Sequence, residues 1–241
     1  ILRHRVVKNY KADAEGISIE KTDPISASYC YCNRARVYVE LTEYNKALDD
    51  FSQAIYLNPT DAELLYQRGL FYFKSTQEYE KALNDFSNAI DLDKSNKDYI
   101  YLRGLLLFDY LNQDKKAIED FRKVLMLDSL DIYAINAIGN VYQNQGKLDL
   151  AIKEYEKGIA IEKSDPIGAA YCYSNRARVY VEQNKLEEAL KDLTKAIELD
   201  PKNSFRYSNR GDFFNNTLNR PFDALVDYSL AISIASLFRS S

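Results

Sequence analysis

Tryptophan is absent from this 241-residue chain, histidine and methionine occur once each, and proline and glycine contribute only five and eight residues. So little Gly and Pro excludes a fold built on many tight turns or long loops. The single histidine, His4, stands at the N-terminal edge, so no Ser-His-Asp or Cys-His catalytic set can be assembled from internal residues. No apolar run reaches the roughly eighteen residues a membrane-spanning helix needs, so no membrane partner is expected. Ile1-Leu2-Arg3-His4 lacks the apolar core and cleavage site of a secretory leader, and the chain does not begin with Met; a fragment of a longer protein is expected.

Charge of one sign is also missing. The 32 Lys and Arg alternate with 36 Asp and Glu, giving a formal charge of −4. A duplex binder carries a basic stripe that displaces counterions, so no nucleic-acid partner is expected. The three cysteines, Cys30, Cys32 and Cys172, make an odd set without a disulfide framework and read as free thiols of a cytoplasmic, intracellular protein. Cys30 and Cys32 lie two apart, which on a helix points them to different sides, so they suit small buried positions and no metal site is expected. The glycines are dispersed rather than gathered into a phosphate-binding loop, and no cofactor is expected. Asp49-Asp50 and Glu187-Glu188 recur beside lysines and read as solvated helix faces rather than acid–base pairs.

What the chain has instead is repetition. The segment 19–40, IEKTDPISASYCYCNRARVYVE, returns 142 residues downstream at 161–182 as IEKSDPIGAAYCYSNRARVYVE, identical at 18 of 22 positions. A shorter period runs inside that offset. Ala47-Leu48, Ala82-Leu83, Ala117-Ile118, Ala151-Ile152, Ala189-Leu190 and Ala224-Leu225 are separated by 35, 35, 34, 38 and 35 residues. Such a period marks a stack of small units. Each unit carries two apolar stripes at helical spacing, in the leading unit from about Ser28 to Leu41 and from about Tyr44 to Leu57. Asn58-Pro59-Thr60, Asp93-Lys94-Ser95-Asn96 and Asp200-Pro201-Lys202-Asn203 supply turns between units. A lone helix hairpin cannot bury its own apolar faces, whereas stacked hairpins can, so the pattern predicts an all-α solenoid of antiparallel hairpins.

The units resemble tetratricopeptide repeats. That family sets a bulky residue at unit position 4, a small one at 8, an aromatic at 11, Ala at 20, an aromatic at 24, Ala at 27 and often Pro at 32. Counted from Ser28, the chain supplies Tyr31, Ala35, Tyr38, Ala47, Phe51, Ala54 and Pro59. The same count gives six units, 28–61, 62–96, 97–131, 132–169, 170–203 and 204–241, with residues 1–27 read as the second helix and loop of a truncated unit. Val124 at position 27 is a mild departure. The resemblance implies one continuous, right-handed superhelical solenoid. The apolar tail Leu230 to Phe238 has no polar cap, so a homo-oligomer stacked through the solenoid ends is an alternative expectation.

A polar pattern accompanies the apolar one. Position 7 is Arg34, Arg68, Arg103, Arg176 or Arg210 in five units, and position 23, allowing one inserted residue ahead of the second helix in the units from Ala62, Lys97 and Ser204, is Asp50, Asp85, Asp120, Glu154, Asp192 or Asp227 in the six. The unit with Ile138 instead of Arg is the one with Glu instead of Asp. A partly buried Arg–Asp pair joining the two helices of each hairpin is expected, because such pairs set register.

In the resembled family the first helices line a concave groove. Carried over position by position, this implies a partner-binding surface of Asn33, Arg36, Tyr66, Gln67, Leu70, Phe73, Tyr101, Leu105, Phe108, Asn136, Asn140, Asn175, Arg178 and Asn209. The amides can donate and accept at once and so hold an extended peptide backbone, although Leu102 and Ala137 interrupt their row. Tyr66, Leu70, Phe73, Tyr101, Leu105 and Phe108 offer aromatic anchors for a partner, or else pack between neighbouring first helices. The clamp with which some members grip chaperone tails maps to Asn136, Asn140, Asn175, Phe205 and Asn209, where every required cation is missing. The reading is a protein–protein interaction scaffold for a protein or peptide partner and not an enzyme. The rivals are a self-assembling structural solenoid and the targeting region of a larger enzyme.

Overall fold

The computed structural model describes residues 20–237; His4, the half unit read before Glu20, and Phe238 lie outside them. Among the described residues, twelve α-helices follow one another and no strand occurs. They are α1 (Pro24–Glu40), α2 (Tyr44–Leu57), α3 (Ala62–Phe71), α4 (Tyr79–Leu92), α5 (Lys97–Asp109), α6 (Asp114–Leu127), α7 (Ile132–Asn144), α8 (Leu148–Ile159), α9 (Pro166–Glu182), α10 (Leu186–Leu199), α11 (Ser204–Asp212) and α12 (Pro221–Leu237). α3 and α11 run on into π-helical turns, Tyr72–Thr76 and Phe213–Thr217. The chain divides into two compact units, Ile1–Lys123 and Val124–Ser241. Odd-numbered helices are the first of each hairpin and even-numbered helices the second.

The two kinds of helix start differently. Ahead of each first helix, Asp23, Asp61, Asn96, Asp131, Asp165 or Asn203 accepts a hydrogen bond from a backbone N–H two or three residues on. This satisfies a donor that the helix cannot pair internally. No such side-chain cap precedes α2, α4, α8 or α10. The chain instead enters each second helix through a tight turn holding one left-handed residue: Thr42, Gln77, Asn112, Gly146, Asn184 or Asn219. Asparagine and glycine tolerate that conformation, whereas the β-branched Thr42 is strained in it at φ 60°.

α1 and α9 begin four residues ahead of the expected starts at Ser28 and Ala170. The cause is local: Asp23-Pro24 and Asp165-Pro166 put an N-cap and a first-turn proline where both favour a helix. The extra turn of α9 also accounts for the 38-residue step in the repeat.

Small residues bring the paired helices together. Ala47, Ala82, Ala117, Ala151 and Ala189 are fully buried. A Cβ added to Gly69 would lie 2.7 Å from the Phe86 ring, and one on Gly104 would lie 2.6 Å from Phe121, so these helix backbones rest almost on the rings. In the N-terminal unit Cys32, Phe51, Leu64, Phe86 and Leu106 belong to one apolar cluster. In the C-terminal unit Ile132, Tyr155, Cys172 and Val179 form one cluster, and Ala177, Ala189, Leu193 and Phe213 another.

All five expected Arg–Asp pairs are present. Each Arg donates from Nε and Nη2 to both oxygens of its Asp, at 2.6 Å for Arg34–Asp50 and at most 2.9 Å for Arg176–Asp192. The fork geometry fixes one helix against the other as well as pairing charge. Hydrogen bonding to the carboxylates holds the Arg34, Arg68 and Arg210 guanidinium groups above their usual pKa. In the exceptional hairpin, Glu154 pairs with Lys157 on its own helix. One expectation is corrected here: Asp49 faces solvent, but Asp50 is buried by its clamp and is no part of a solvated face.

Candidate partner-binding site

The candidate residues of the N-terminal unit fall into two sets. Asn33 and Arg36 are exposed on α1. Tyr66, Leu70, Phe73, Tyr101, Leu105 and Phe108 are half-buried. Tyr66 lies 4.6 Å from the Tyr99 ring and 5.8 Å from Phe86, centroid to centroid. Tyr101 lies on Phe121, and Phe73 meets Tyr79 and Tyr110 edge-on. The Tyr66–Tyr99 contact joins consecutive first helices, so that ring serves packing at least in part. Gln67 is tied to Glu63 one turn earlier.

In the C-terminal unit the asparagines separate by task. Asn136 is buried, and its amide oxygen accepts from Asn175 Nδ2 at 3.0 Å. Asn140 accepts from the hydroxyl of the buried Tyr155 at 2.8 Å. Burial pushes the neighbouring Cys172 thiol up to about 12. Asn175, Arg178 and Asn209, by contrast, come together along a groove of about 680 Å3 between α9 and α11, a size that suits a bound segment. Phe205, 72% exposed, and Phe213 give the groove apolar wall. Arg178, Glu182 and Asp212 are exposed at its rim.

The floor holds a residue the repeat count passed over. Arg206 lines the groove yet is only 3% exposed. Its guanidinium stacks 4.1 Å from the centre of the Tyr171 ring, while Nη1 donates to Ser174 Oγ at 3.2 Å and Nε to Asp200 at 3.3 Å. Arg206 occupies unit position 3, which carries no weight in the family pattern. A signal was nonetheless present, because the other units put Cys30, Leu64, Tyr99, Ala134 and Cys172 there, none of them charged.

Models of the tetratricopeptide repeat match residues 62–96, 132–165 and 170–203, and a further model of the repeat matches 35–75, so the matches cover more than half of the sequence. The chain belongs to the tetratricopeptide repeat family. Tetratricopeptide folds of known structure agree with its hairpin stack. A tetratricopeptide repeat protein from Parabacteroides merdae ATCC 43184 is 21% identical, covering 96% of this chain and 88% of that one, with a TM-score of 0.73. YrrB, a tetratricopeptide protein with an unusual peptide-binding site, is 28% identical over 80% of this chain and 94% of its own, at a TM-score of 0.59. PilW, a type IV pilus biogenesis factor, is 16% identical over 89% and 93%, at 0.61. No curated protein sequence matches the chain. Tetratricopeptide stacks are in general interaction scaffolds without catalytic chemistry of their own, and this one is a protein-interaction scaffold. Among the described residues no helix is long and apolar enough to cross a membrane, and no cluster of His, Cys, Asp and Glu could hold a metal ion.

Proposed function

We propose that this tetratricopeptide protein holds an extended peptide or a short helical segment of a partner protein in the groove between α9 and α11. The observation that carries the proposal is the convergence of Asn175, Arg178 and Asn209 on one open groove walled by Phe205 and Phe213. Amides that donate and accept can follow a peptide backbone, and the two rings supply apolar contact area. The likeness to YrrB supports a peptide ligand. Asn33 and Arg36, the equivalents of Asn175 and Arg178, are exposed on α1 and offer the same polar chemistry in the N-terminal unit. Tyr66 and Tyr101 are the anchors available there, with the part of each ring that packing leaves free.

The test is selection of short peptides from a displayed library by the intact chain, with affinities then measured for wild type and for Asn175→Ala/Asn209→Ala. The double variant should lose about tenfold or more in affinity, because two backbone-directed hydrogen bonds vanish from a desolvated groove. Equal binding by both proteins would move the site elsewhere. A specific observation favours a second reading. α12 exposes Phe222 at 83% and Ile232 at 70%, an apolar surface suited to stacking on another copy. Sedimentation that changes with protein concentration, and is abolished by Phe222→Glu/Ile232→Glu, would favour self-assembly.

A further inference from the structure

Arg206 differs from every clamp arginine. The five clamps meet an Asp at 2.6 to 2.9 Å through two parallel bonds. Arg206 is the most buried of these six arginines, yet reaches a carboxylate only once, at 3.3 Å from Asp200. Its Nη2 is buried and has no hydrogen-bond partner among the described residues. A guanidinium has five N–H donors, and one left unpaired in a low-dielectric site favours a fold without it. Position 3 is filled by uncharged residues in the other units, so the repeat does not require a cation there. A rule broken at one unit, on the floor of a groove, marks a site kept for a ligand.

Resting on the peptide-groove reading above, we propose that Arg206 is the selectivity residue of that groove and seats a single carboxylate of the bound peptide. The buried, weakly neutralised charge calls for an anion. The exposed carboxylates of Glu182 and Asp212 at the rim disfavour a doubly charged phosphate and leave room for a monoanion. Tyr171 holds the guanidinium plane from one face, and Ser174 fixes Nη1, so Nη2 is pre-oriented. The carboxylate comes either from an acidic side chain or from the peptide's C-terminus.

The experiment probes arrays of short peptides, one set with free and one with amidated C-termini, with the whole chain as wild type, Arg206→Leu and Arg206→Gln. Wild type should select peptides with one carboxylate at a constant place, and both variants should lose about tenfold in that preference while still binding the neutral counterparts. Selection that persists in the amidated set assigns the carboxylate to a side chain; selection confined to free ends assigns it to the C-terminus. Arg206→Leu should also melt no lower than wild type, because Leu64 fills the equivalent position. Peptides selected without carboxylate preference, or a preference unchanged in the variants, would overturn the proposal and leave the groove reading standing. A lower melting point in both variants with unchanged selectivity would make Arg206 purely structural. If wild type selects no peptide, both readings fall.

Discussion

α1 and α9 are the same helix written twice, and they face different neighbours. The 22-residue segments that contain them differ at four positions. Both start on an Asp-Pro cap, both tie a tyrosine to the glutamate that precedes the helix (Tyr31 to Glu20, Tyr173 to Glu162), and both clamp an Asp on the next helix. They part where they meet the following first helix. Beside α1 the buried pair is Cys32 with Leu64 in one apolar cluster; beside α9 it is Ser174 hydrogen-bonded to Arg206. Tyr29 bonds Asp61 through its hydroxyl, whereas the equivalent Tyr171 carries a guanidinium on its face. Two nearly identical helices therefore make an apolar seam in one place and a charged groove floor in the other. What they share sets the hairpin frame, and the few residues that differ, with the neighbour each helix meets, set the character of the seam.

The severest way to break this comparison is to force the charge into the apolar seam. Leu64, 1% exposed, replaced by Arg should destabilise the chain by about 4 kcal/mol or more in urea titration, since Cys32 and Asn58 stand where Arg206 finds Ser174 and Asp200, and Asp61 is already engaged by Tyr29 and its own helix N-terminus. Adding Cys32→Ser should recover part of that loss. Next in size are the clamps. Asp50→Ala leaves Arg34 without its carboxylate and Asp192→Ala leaves Arg176 only the looser contact with Glu156 at 3.6 Å, and each should cost about 3 kcal/mol. A large inequality between them would show that the shared frame is not energetically equivalent in the two hairpins. The turns after the two helices allow a finer test. Thr42 and Asn184 both hold left-handed backbone, so Thr42→Asn should stabilise by about 1 kcal/mol and raise the melting temperature by a few degrees. The smallest effect is chemical. Burial pushes the Cys32 and Cys172 thiols up to about 12, so both stay protonated through neutral and mildly alkaline pH. Native protein at pH 7.5 should therefore take up at most one maleimide per chain, at Cys30, and three only after unfolding.

Legibility followed periodicity. The hairpins, the second helix Tyr44–Leu57 and all five clamps could be read from the sequence, because each recurs at a fixed offset and the recurrence itself is the signal. α1 and α9 start one helical turn ahead of the family count, because the local Asp-Pro cap sets the helix start and the family pattern does not include it. The π-helical turns ending α3 and α11 have no compositional mark and depend on packing. In the candidate site, Asn175, Arg178 and Asn209 converge on the groove, while Asn136 and Asn140 face inward. Helical position alone does not say which amides the neighbouring unit will claim. Arg206 stayed hidden because its unit position carries no family preference, and only column-by-column comparison reveals the single charge there.

The clamps have a consequence for how such a chain can grow. Each bidentate pair closes within one hairpin, between residues 16 or 17 apart, and never bridges to the next hairpin. A hairpin copied or deleted by recombination thus brings or removes both halves of its own lock and leaves no half of a clamp behind in its neighbour. The recurrence of α1 as α9 after 142 residues is the pattern that duplicating a block of four such hairpins would leave, and the second helices that follow, although changed at most positions, keep the clamp aspartates Asp50 and Asp192.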